Sequence, residues 1–142
     1  MANPMIMIAS DGMPITGAKV HPRGQGTFAR VLGHYVREEH ALELMAALRK
    51  MTLMPAQRLE KRAPSFKDKG RVRVGADADI TVFDAARVID KATYDDPLDY
   101  SDGIAFVLVN GVPVVKDGQL VSGVFPGRAA RAPITGKLDA GR

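Results

Sequence analysis

Apolar residues fall into two regimes along the chain, helical spacing before residue 61 and strand-like runs after residue 79. Within residues 25–60, Phe28, Val31, Leu32, Tyr35 and Val36 recur at i, i+3, i+4, i+7 and i+8, one stripe along a helix with Thr27 available as its cap. Leu44, Met45, Leu48 and Met51 form a second stripe. Residues 52–59 predict a third short helix, with Pro55 tolerated in its first turn. Residues 61–77 form a basic, glycine-punctuated connection, with a short strand expected at 71–74. From Asp79 onward the signal is strand, beginning with the β-branched run Ile80–Phe83. Asn110-Gly111 lies between apolar residues 106–109 and 112–115, and both turn residues accept positive φ, so a hairpin is expected. Asp117-Gly118 repeats the signal before residues 120–121, which predicts a three-stranded meander. Pro113 has no amide to donate, so it must face away from a partner or sit at an edge. The Ala/Arg/Gly-rich residues 127–142 predict a poorly ordered tail.

Near the N-terminus, Met5-Ile6-Met7-Ile8-Ala9 is a short apolar run between Pro4 and the turn signal Ser10-Asp11-Gly12. Such a run predicts a strand buried on both faces. Carboxylates at the C-terminal ends of such strands are where parallel α/β barrels place catalytic groups. Asp11 is therefore a candidate for chemistry, although Ser-Asp-Gly serves equally well as a turn or a helix N-cap. Only ten residues precede Asp11, so the sheet that this strand would join is expected to lie outside the chain.

At 142 residues the chain is long enough for one domain core. No apolar run approaches the roughly 18 residues of a membrane span, and no basic region followed by a long apolar stretch opens the chain. The absence of cysteine excludes disulfides and thiolate metal sites, and a soluble cytoplasmic protein is expected. The net charge of +4 is unevenly distributed. Residues 49–75 carry nine Lys/Arg against Glu60 and Asp68, a local excess of +7, and residues 77–102 carry eight Asp against Arg87 and Lys91, an excess of −6. Adjacent blocks of opposite sign pair across a folded surface more often than they bind a polyanion, so neither nucleic acid nor membrane is expected as a partner.

After the Ser-Asp-Gly turn come His21-Pro22-Arg23-Gly24-Gln25-Gly26-Thr27-Phe28 and Arg30-Val31-Leu32-Gly33. Farther on stand Gly75-Ala76-Asp77-Ala78-Asp79 and Val107-Leu108-Val109-Asn110-Gly111. In this order they resemble the C-terminal part of the amidohydrolase superfamily, over nearly the whole chain from about residue 6 to 128. The Gly-x-x-Ala-Asp and Val-x-Val-Asn-Gly elements are shared across that superfamily. Ser-Asp-Gly followed by His-Pro-Arg-x-x-Gly-Thr-Phe and Arg-x-Leu-Gly points to its D-aminoacylase (N-acyl-D-amino-acid deacylase) branch.

The resemblance implies an α/β fragment. Residues 1–60 would be the last strand and helices of a metal-dependent (β/α)8 barrel, residues 61–126 the C-terminal strands of a small β-sandwich, and residues 127–142 a flexible tail. It also implies zinc-dependent hydrolysis of N-acyl-D-amino acids to a carboxylate and a D-amino acid. In such chemistry zinc lowers the pKa of its water and polarises the carbonyl, while a neighbouring carboxylate takes the water's proton and returns it to the leaving nitrogen. Asp11 resembles the strand-end aspartate of the metal site that does this. Arg23 resembles the arginine that holds the substrate's α-carboxylate, which a planar guanidinium can grip bidentately. Without the resemblance, Arg23 reads as a solvated loop arginine.

The family's other zinc ligands are upstream histidines and, in D-aminoacylases, a cysteine. This chain has no His-x-His, no cysteine and three histidines, His21, His34 and His40. His34 and His40 are six residues apart and so point to different faces of a helix, while His34 and Glu38 read as a surface pair. Zinc is therefore expected in the complete enzyme and not in this chain alone, which would be inactive unless an upstream amidohydrolase fragment is supplied. The alternative is a non-catalytic binding or assembly module derived from an amidohydrolase. An adjacent upstream reading frame with His-x-His would favour the first.

Overall fold

The computed structural model describes residues 1–13 and 20–132. Helix α1, Arg23–Arg30, continues without a break into a π-helical stretch, Val31–Glu38. Helices α2 (Leu44–Met51) and α3 (Leu53–Leu59) and a 3-10 turn (Pro64–Asp68) follow. The start of α1 lies earlier than Thr27. Pro22 is the N-cap, at φ −59°. His21 satisfies the exposed amides of the first turn: its carbonyl accepts the Gly24 N–H at 3.3 Å and its Nδ1 accepts the Arg23 N–H at 3.0 Å. Thr27 is thus inside the helix, its hydroxyl donating to the Arg23 carbonyl at 2.8 Å, and it does not cap. In the second stripe Leu44, Leu48 and Met51 face the core, whereas Met45 is 73% exposed.

Residues 5–9 form no strand. A strand needs a neighbour to take its backbone groups, and here α2 takes them instead through one residue. The Ile8 N–H donates to the Lys50 carbonyl at 3.1 Å, and the buried Lys50 ammonium donates to the carbonyls of Asn3 and Ile6. Met5, Ile6 and Met7 stay exposed. Residues 71–74 form no strand either. Val72 and Val74 stand in solvent, while Arg71 and Arg73 pair with Glu60 and Asp68 at 3.1 and 2.5 Å. The basic block is thus partly neutralised from within, and Lys69 makes its link to the acidic block.

The sheet has four antiparallel strands in chain order, β1 (Ile80–Phe83), β2 (Ile104–Val109), β3 (Val112–Lys116) and β4 (Gln119–Leu120). The expected meander is present, with β1 added to its outer side. Asn110 and Gly111 adopt φ 49° and 76°, and Asp117 and Gly118 adopt 51° and 75°, the paired positive values of tight hairpin turns. Pro113 faces Leu108 beside a register irregularity at Val107/Leu108, and β4 is too short to reach its other side. It therefore occupies an edge position inside an otherwise paired strand. Just before β1, Asp79 accepts the Asn110 N–H at 2.8 Å and the Lys69 ammonium at 2.6 Å, and Lys69 also meets Asp77 at 2.9 Å. The Asn110 amide first, and then Lys69, hold the Asp79 carboxyl below its ordinary range. Asp79 and Asp77 in turn push the Lys69 ammonium up.

Helices and sheet meet at Val88, which is 1% exposed and packs with Ala29 and Leu32; Leu44, Leu48, Met51, Phe83 and Ile104 close around this cluster. The Arg-x-Leu-Gly motif grips the same segment. Arg30 pairs with Asp90 at 3.2 Å, Leu32 enters the cluster, and Gly33 lies so close that a Cβ there would be 2.5 Å from the Val88 oxygen. Arg37 adds a hydrogen bond to that oxygen at 2.6 Å. No helix among the described residues is long and apolar enough to cross a membrane.

Two predictions follow from these contacts. Gly33→Ala raises helix propensity, yet it should destabilise the chain by about 1–3 kcal/mol, because the new methyl meets the Val88 carbonyl, backbone that cannot yield, as well as the Ile89 side chain. Denaturant titration checks this, and a stabilised variant would refute the close approach. Asp79 has a lowered pKa, so its contribution is fully present above the ordinary carboxylate range and is lost as pH falls through its lowered value. Asp79→Ala should therefore flatten the acid limb of the stability curve; an unchanged acid limb would remove Asp79 from the hairpin's support.

Candidate active site around Asp11 and Arg23

Asp11 stands in a turn at φ 50°, with the Ser10 hydroxyl accepting the Gly12 N–H at 3.1 Å. The turn lies against the first residues of α1, where a Cβ on Gly12 would come within 3.0 Å of the Gly24 Cα. Two glycines in contact let the segments approach this closely. Arg23, the first residue of α1, then reaches Asp11 twice. Its Nη2 lies 2.8 Å from Asp11 Oδ2, and its Nε donates to the Asp11 carbonyl at 3.1 Å. Both side chains are exposed, 45% and 79%, so solvent screens the pair and it is worth under about 1 kcal/mol. An incoming carboxylate can therefore compete for Arg23 at small cost.

The structure thus brings Asp11 and Arg23 together. It adds two residues that the sequence reading gave no role in the site. His21 Nδ1 accepts the Arg23 amide, while His21 Nε2 lies 3.0 Å from the Tyr94 hydroxyl. The two rings meet edge to face, with centroids 5.1 Å apart. His21 was within reach of sequence reasoning, since a polar residue beside Pro22 at a helix start suggests capping. Tyr94 was not, because it arrives from the acidic segment 73 residues away.

The described residues do not fit a zinc site. Among them no group of three or more His, Asp or Glu side chains can hold a metal ion. The nearest polar partner of the Asp11 carboxylate is a guanidinium, and both ring nitrogens of His21 are engaged. His34 lies 3.2 Å from both Glu38 and Glu39, and its hydrogen bond first, then Arg37, lowers the Glu38 pKa. That is the expected surface pairing.

The fold has counterparts among solved structures. In the crystal structure of N-acyl-D-glutamate deacylase from Bordetella bronchiseptica, complexed with zinc and a phosphonate mimic of the tetrahedral intermediate, 91% of this chain matches 26% of that chain, with TM-score 0.75 and 43% identity. The structural neighbours are thus D-aminoacylases, and the chain is an α/β piece of their amidohydrolase fold. The amidohydrolase family profile matches residues 1–115, and the chain belongs to that family. N-acyl-D-glutamate deacylase of Alcaligenes xylosoxydans xylosoxydans is 49% identical over 125 residues, 88% of this chain. D-aminoacylase of the same organism is 42% identical over 122 residues, 86% of this chain. The chain spans 24% of the length of each of these two relatives.

The donor set predicts that the chain, loaded with zinc and dialysed, retains no stoichiometric metal. Elemental analysis showing one tightly held zinc per chain would overturn this and require ligands beyond the described residues.

Proposed function

We propose that this chain supplies the proton-transfer carboxylate and the substrate-carboxylate clamp of a zinc-dependent N-acyl-D-amino-acid deacylase. Asp11 would also belong to that enzyme's metal site, whose other ligands lie outside the described residues. In this reading residues 1–60 form the end of the barrel, residues 61–126 a share of the β-sandwich, and residues 127–142 the tail. The observation that carries the proposal is the 2.8 Å pairing of Arg23 with Asp11, in a chain 49% identical over 125 residues to an N-acyl-D-glutamate deacylase.

The chemistry requires Arg23 to exchange partners. The substrate's α-carboxylate takes the guanidinium that Asp11 occupies, which a weak, exposed pair permits. Asp11 is then free to accept a proton from the attacking water as the C–O bond forms. It returns that proton to nitrogen as the C–N bond breaks, giving a carboxylate and a D-amino acid. One group thereby serves as base and then acid, and the clamp fixes the acyl carbon relative to it. A second reading, a non-catalytic binding or assembly module, is favoured by the lack of a metal-binding group among the described residues. The two part company when the rest of the enzyme is supplied, because only the deacylase reading predicts turnover.

In that assembled enzyme, Asp11→Asn should lower kcat by about 10²- to 10⁴-fold with little change in KM. Near-normal turnover would remove Asp11 from the mechanism. Arg23→Met should damage substrates that carry an α-carboxylate far more than an analogue lacking it. Equal damage to both would assign Arg23 to holding the loop.

A further inference from the structure

We propose that Tyr94 is a positioning residue for Arg23, acting through the imidazole of His21; its kinetic consequence rests on the deacylase reading above. The backbone amide of Arg23 can only donate, so His21 Nδ1, 3.0 Å away, must present a lone pair. The neutral ring then carries its proton on Nε2 and donates it to the Tyr94 hydroxyl oxygen at 3.0 Å. Tyr94 is the acceptor that fixes this tautomer and, with its ring edge to face at 70°, the rotation of the imidazole. The imidazole in turn fixes the first amide of α1, from which the Arg23 side chain leaves to meet Asp11.

Tyr94 is offered from a held turn. The Thr93 amide donates to the Asp96 carbonyl, the Asp96 amide to the Thr93 hydroxyl, each at 2.9 Å, and neighbouring Ala92 is buried. The same acidic segment holds α1 at two further points, Ser101 to the Gln25 carbonyl at 3.2 Å and Asp90 to Arg30. Arg23 therefore sits on a helix whose first turn is tied to the acidic segment by two hydroxyls, that of Tyr94 through His21 and that of Ser101 at Gln25. Clamping a carboxylate depends on the orientation of that guanidinium more than on the strength of any one contact.

Nitrogen-15 NMR of the full 142-residue chain tests the linkage directly. His21 should show the Nε2–H tautomer, and an Nδ1–H tautomer would overturn the proposal. Tyr94→Phe keeps the ring and removes the hydroxyl. Exchange of the Arg23 amide hydrogen should quicken by about three- to tenfold, the worth of one hydrogen bond. Exchange unchanged in Tyr94→Phe but quickened in Tyr94→Ala would reduce the role to ring packing and sink the proposal. In the assembled enzyme, Tyr94→Phe should raise KM for α-carboxylate substrates by a similar factor, about three- to tenfold, at nearly constant kcat, and spare the analogue without the carboxylate. A loss confined to kcat would overturn it. These results are separable from the fate of the clamp. If Arg23→Met fails to discriminate the two substrates while the NMR results hold, the deacylase role of Arg23 falls and the Tyr94–His21–Arg23 linkage stands.

Discussion

The close packing of Val88 against the start of the π-helical stretch is the constraint on which the rest of the structure depends. Among the described residues, five of the eight buried apolar side chains are alanines, so most buried positions supply contact but little volume. Val88 is one of two large side chains below 2% exposure, and it touches both the helical region and the residues that border the sheet. It reaches that position because Gly33 on one side and Gly103 on the other leave no Cβ in its way. A chain with so small a core holds its elements together by close backbone approach and by arginines reaching carbonyls, as Arg37 does.

That arrangement also explains the distance between the site and the segment that steadies it. The residues following Val88 run back along α1, through Asp90 and on to Tyr94 and Ser101. The acidic block is therefore less a surface for a cationic partner than a strap along the helix that carries Arg23. Among its carboxylates, Asp77 and Asp79 pair with Lys69, Asp90 with Arg30 and Asp99 with Lys91, and Asp84 accepts the Ala86 amide of a turn.

What could be read from the chain was local. Asn110-Gly111 and Asp117-Gly118 demand positive φ within two residues, and the hairpins formed where those pairs stand. Of the first helical stripe, Val31 and Leu32 are buried as expected, whereas Phe28 is 44% exposed and Tyr35 and Val36 are half-buried. What could not be read depended on partners. The apolar run at residues 5–9 has the composition of a buried strand, but composition cannot supply the strand beside it. Thr27 is a good cap by type, yet His21 and Pro22 started the helix first. Asp11 and Arg23 were legible through motif order, and their contact follows from the Gly12–Gly24 approach. Tyr94 lies in a turn with no periodicity or motif, so only the folded chain could disclose it.

Lys50 has a consequence for the N-terminal segment. In a parallel sheet, one residue of a strand donates to the carbonyl before the residue facing it and accepts from the amide after it. Lys50 does both around Met7: its carbonyl accepts from Ile8, and its ammonium, in place of a backbone amide, donates to Ile6. A helical residue thus imitates the edge of a parallel strand, and by this substitution the segment leading to Asp11 keeps a strand's hydrogen-bonding register where no strand is present.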